Sequence, residues 1–89
     1  MRSLALRIAS NPIIGNEIAF EIFGLKANTT INLCIFDLLG RKIIEGNHFV
    51  SNSNNIIIIP KNSSFNVGKY FAKASFNDKI LINNFVILQ

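Results

Sequence analysis

Eighty-nine residues leave room for one domain and not for a second. The composition is 49% hydrophobic and 16% charged, which excludes a disordered chain. The net charge is +4, but the nine basic residues are scattered from Arg2 to Lys79 and only Arg41-Lys42 are adjacent, so no basic cluster marks a nucleic-acid partner.

The start, MRSLALRIASNP, has a short apolar patch that Arg7 interrupts. It is too broken for the apolar core of a signal peptide. No later run approaches the roughly eighteen apolar residues of a membrane helix. Met1 begins either a cytoplasmic protein or a piece of a longer one, and the second is the expected case.

From there the chain alternates apolar and polar residues with a period of two. Residues 4–9 form a first strand. In EIAFEIF, residues 17–23, Ile18, Phe20 and Ile22 share one face, with Glu17, Ala19 and Glu21 opposite. In residues 30–37, Ile31, Leu33 and Ile35 share a face, with Asn32, Cys34 and Phe36 on the other. Further strands are expected at 41–50, 54–59, 69–76 and 79–88. The run Ile56 to Ile59 has no polar face and predicts a strand covered on both sides. Pro60 ends it. Turn clusters separate the strands, and none of the chain shows helical spacing over three turns. The pattern predicts an all-β, seven-stranded antiparallel sandwich of immunoglobulin-like type, with a small open barrel as the alternative.

Phe36 to Ile44, FDLLGRKII, has the chemistry of a tight hairpin. Asp37 suits the first corner of a type I turn, where its carboxylate can accept a backbone N–H bond. Leu38 and Leu39 are then the central residues, and Gly40 takes the left-handed position that makes a bulge. Asp37 and Arg41 face each other at the mouth. The turn accounts for Asp37 and Gly40 but not for the leucines. Either one caps the open end of the sandwich while the other meets a partner, or both tuck under neighbouring loops.

Catalytic chemistry finds little support. The five carboxylates, Glu17, Glu21, Asp37, Glu45 and Asp78, fall on separate elements or on a solvent-facing side, not in one cleft. No phosphate loop, nucleophile elbow or metal-ligand spacing occurs. Cys34 stands alone, which excludes an internal disulfide, and is expected to be a half-buried small hydrophobe. The triplets Asn28-Thr29-Thr30 and Asn62-Ser63-Ser64 fit the glycosylation pattern, but such triplets are frequent in an asparagine-rich chain. No cofactor, metal or small-molecule substrate is expected.

Four segments, in order, resemble a known family. They are Asn11-Pro12, Phe36 to Arg41, Gly68-Lys69-Tyr70, and the final apolar strand Phe85, Val86, Ile87, Leu88 and Gln89. Together they resemble the type A C-terminal sorting domain of the type IX secretion system of Bacteroidota, over nearly the whole chain. Asn66-Val67 stands where that family usually has a proline or small residue, and Asn83-Asn84 where a basic pair is common.

The resemblance implies that residues 1–89 are the C-terminal end of a larger secreted protein and carry no catalysis. It implies recognition by the outer-membrane translocon after export to the periplasm. A sortase-type cell-surface peptidase then commonly removes the domain, and the N-terminal cargo is released or attached at the cell surface. Leu38 or Leu39 would belong to the surface that is read. Sandwich edges laid bare by loss of the cargo would allow the isolated domain to pair with itself. The reading from another class is a sandwich module that binds carbohydrate or protein, which needs an exposed aromatic platform drawn from residues such as Phe49, Tyr70 and Phe76.

Overall fold

The computed structural model describes residues 4–9, 13–25, 28–50, 55–62 and 65–88. Its elements are β1 (Ala5–Ile8), β2 (Glu17–Phe23), β3 (Thr29–Asp37), β4 (Lys42–Val50), β5 (Asn55–Pro60), β6 (Gly68–Phe76) and β7 (Lys79–Ile87). They divide into two antiparallel sheets, ordered β1-β2-β5 and β4-β3-β6-β7. This is the expected immunoglobulin-like sandwich rather than an open barrel.

A period of two sends alternate side chains to opposite faces, and the inner faces hold the predicted residues. Ile18, Phe20 and Ile22 of β2 and Ile31, Leu33 and Ile35 of β3 are all buried. Ala72, Ala74 and Phe76 of β6 and Phe85 and Ile87 of β7 complete the layer. Phe85 lies at its centre. Its ring stands edge-on to Phe20 and stacks on Tyr70, with both centroids 5.7 Å away. Burying one such ring stabilises the fold by about 1.5–3 kcal/mol.

Two expectations fail for reasons of position. Ile56 to Ile59 is not covered on both sides: Ile57 and Ile59 are buried, but Ile56 and Ile58 are 63% and 53% exposed. β5 is the edge of a three-stranded sheet whose outer face has no second layer. Cys34 is buried rather than half-buried. It sits on an inner strand, in register with Glu45 on one side and Lys73 on the other, and their long side chains cover it.

Asn83 gives the sandwich an unforeseen clasp. Its side-chain amide donates to the Leu6 carbonyl over 2.9 Å, joining β7 of one sheet to β1 of the other. A buried-side asparagine with a backbone partner satisfies a group that an apolar interior would penalise.

Antiparallel pairing fixes what meets at each pole. The end of β3, the start of β6 and the end of β7 lie side by side, since Asp37 pairs with Tyr70 and Tyr70 with Phe85. Glu17 pairs with Pro60, and the Lys61 N–H donates to the Asn16 carbonyl over 2.9 Å, so the start of β2 and the end of β5 share that pole. Leu4 lies at the other pole, lining a hollow of about 320 Å³ with Leu25, Phe76 and Lys79.

Candidate functional site

The β3–β4 hairpin is built as its residue types require. The Gly40 N–H donates to the Asp37 carbonyl and the Asp37 N–H to the Arg41 carbonyl, both over 3.0 Å. Gly40 has φ of 81°, the left-handed conformation that side chains resist. The Asp37 carboxylate accepts the backbone N–H groups of Leu39 and Arg41 at 2.9 Å and the Arg41 guanidinium at 2.7 Å. The Arg41 backbone N–H and guanidinium, with the Leu39 N–H, hold the Asp37 carboxyl below the usual carboxylate range. The register then shifts between Ile35 and Phe36, so β4 carries a further irregularity beyond the turn.

Beside this hairpin the chain turns from β5 into β6. The Asn66 N–H donates to the Tyr70 hydroxyl, which in turn donates to the Asn66 carbonyl, both over 2.8 Å. A tyrosine near the start of this strand, bonded to the backbone just upstream, is the tyrosine corner of immunoglobulin-like sandwiches. Phe65 packs on the same ring at 5.5 Å. Gly68 has φ of 149°, which explains a glycine two residues before the tyrosine.

The two segments face each other. The hairpin 37–41 and residues 66–70 line one hollow of about 260 Å³, although some 25 residues of chain separate them. The end of β7 runs alongside, with Gly68 paired to Ile87 and Lys69 to Val86. Ile13 lies against that end as a parallel bridge. Its N–H donates to the Val86 carbonyl over 2.7 Å, and its carbonyl accepts the Leu88 N–H over 2.9 Å. Asn11, Pro12 and Gln89 lie outside the described residues.

The predicted site residues that are described therefore gather at one pole, but they split into two kinds. Tyr70, Phe85 and Ile87 are buried and build the core. Leu38 and Leu39 are 62% and 78% exposed, so neither tucks under a loop nor caps the sandwich. They are the two central residues of the turn, beyond the last paired residues of β3 and β4. Ile14, Val67 and Leu88 are also exposed at this pole. The sequence marked Leu88 but not Ile14 or Val67, whose turn neighbours disguised them as ordinary loop residues.

Of the expected platform residues, Tyr70 and Phe76 are buried and Phe49 is exposed on the outer face of β4; Phe71, also exposed, lies beside Phe36 on the outer face of the same sheet. Phe49 pairs with Thr30 while Phe71 pairs with Phe36, a spacing of about 20 Å along β3 at the usual rise per residue.

Two further ion pairs lie on the surface. Glu21 holds Arg7, and Glu45 holds Lys42, each at 2.6 Å. Burial pushes the Cys34 thiol up, and the neighbouring Glu45 carboxylate acts in the same direction, so both disfavour the thiolate. Among the described residues, no three histidine, cysteine or carboxylate side chains gather as metal ligands. No protein-family model matches the chain, and no curated protein is significantly similar to it.

Proposed function

We propose that this chain is a non-catalytic C-terminal secretion signal, which directs an N-terminal cargo through the type IX outer-membrane translocon. The motif pole is the surface read by the apparatus. A sortase-type peptidase then removes the domain, and the cargo is attached at the cell surface or released.

The observation that supports this reading is the convergence of the motif segments. A hairpin tip, a strand corner and the last strand, far apart in sequence, share one pole and present Leu38, Leu39, Val67 and Leu88 there, and the segment bridging β7 adds Ile14. Leu4 lies at the opposite pole. A cargo joined ahead of it leaves the motif pole open to a receptor. The alternative of a carbohydrate- or protein-binding module rests on the outer-face pair Phe36 and Phe71 and on Phe49, which lies too far along the sheet to extend that pair into one platform.

The test fuses a periplasm-exported fluorescent reporter to residues 1–89 in a bacterium that carries this secretion system. The fusion is expected at the surface or in the medium. Retention inside the cell, while an established sorting domain exports the same reporter, would refute the reading.

A further inference from the structure

Four strands form the sheet edges, and three of them are guarded. β4 carries the register shift near Ile43, together with Lys42 and Glu45. β7 is covered near its end by the backbone of Ile13. β1 carries Arg7 and is clasped through its Leu6 carbonyl by Asn83. Charges, prolines, bulges and covering segments are the usual devices that stop one edge from pairing with another.

Among the described residues, β5 has only Pro60 at its very end, and the stretch Ile56 to Ile59 carries none of them. Its six residues, Asn55–Pro60, contain no charge and four consecutive isoleucines. Its register with β2 is unbroken from Asn55 to Pro60. Ile56 and Ile58 stand on the uncovered outer face at 63% and 53% exposure.

We propose that β5 is a self-association edge, which pairs antiparallel with β5 of a second copy about a two-fold axis. The two three-stranded sheets then join into one six-stranded sheet. Several features favour a copy of this chain over a foreign peptide. An isoleucine run is self-complementary, since two-fold pairing sets isoleucine against isoleucine and brings no like charges together. Extended peptides are selected by side-chain pockets beside an edge, and the two hollows at the poles include no β5 residue. Pairing also places Ile56 and Ile58 of each copy beside their counterparts, so that each covers part of its neighbour's side chain on the outer face. A pairing of one short strand is a weak interface, below the area typical of permanent complexes.

This inference is independent of the secretion reading. Sedimentation of the intact chain from micromolar to millimolar concentration is expected to show a reversible monomer–dimer equilibrium. Ile58→Lys puts like charges at the join and should raise the dissociation constant at least about tenfold. Because Ile58 is exposed, the variant should keep the wild-type spectrum and melting temperature. Ile56→Lys provides a second probe of the same edge. Ile82→Lys, on the outer face of the other sheet, should dimerise as the wild type does. A wild-type chain that stays monomeric at millimolar concentration would overturn the proposal. So would an unchanged dimer in both β5 variants, equal loss in Ile82→Lys, or assemblies larger than a dimer, since two-fold pairing uses up the edge.

Discussion

The tip of the β3–β4 hairpin and the end of β7 lie at one pole and are equally apolar, yet Leu38 and Leu39 are mostly exposed while Phe85 and Ile87 are fully buried. Position in the sheet makes the difference. β7 is in register with β6, so every second residue from Leu81 to Ile87 points into the sandwich. The hairpin tip lies beyond the last rung and has no opposite sheet to pack on. Apolar residues at the strand end are therefore needed for folding, and those at the tip are not. A motif that spans both mixes residues that build the domain with residues that remain available to a receptor.

The largest expected effect breaks the interior half of that contrast. Phe85→Ala removes the ring between Phe20 and Tyr70 and should destabilise the domain by about 3–5 kcal/mol. Urea denaturation measures it, and a loss below about 1 kcal/mol would show that the end of β7 is not core. The same burial sets a limit on truncation experiments. Deleting the last five residues removes Phe85 and Ile87, so failed export would report unfolding before it reported lost recognition.

An intermediate effect is expected where the tip is fixed. Gly40→Val should cost about 1–3 kcal/mol through backbone strain alone. A Cβ added at Gly40 would meet no atom within 4 Å beyond its chain neighbours, so the cost comes from the backbone and not from crowding at that carbon. Gly40 thus holds the leucines outward without touching the core. A melting temperature equal to the wild type would show that the left-handed turn is not required.

Most of the fold was legible because alternation and burial coincide wherever a strand faces the other sheet. Asp37 and Gly40 were legible too, since their roles are local to five residues. What escaped the sequence depends on partners distant in the chain. Tyr70 reads as a candidate surface aromatic until its hydroxyl is seen bonded to Asn66. The contact of Asn83 with Leu6 spans 77 residues and leaves no local pattern. Ile56 to Ile59 misled for a related reason. An isoleucine run records strand propensity at all four positions, but it cannot record whether a layer covers the outer face.

The smallest effect on stability carries the most information on function. Leu38→Ala and Leu39→Ala together remove two mostly exposed side chains from the tip, and each change should alter stability by less than about 0.5 kcal/mol. If the pole is read by the secretion apparatus, export of the reporter fusion should fall in this variant although its denaturation curve is unchanged. Phe85→Ala would lose stability and export together, so the two variants separate folding from recognition. Alanine at both positions keeps the turn, because the Asp37 carboxylate bonds the backbone of residue 39 and not its side chain. Wild-type export from the leucine variant would remove the tip from the recognition surface and leave Ile14, Val67 and Leu88 as the exposed groups to vary next.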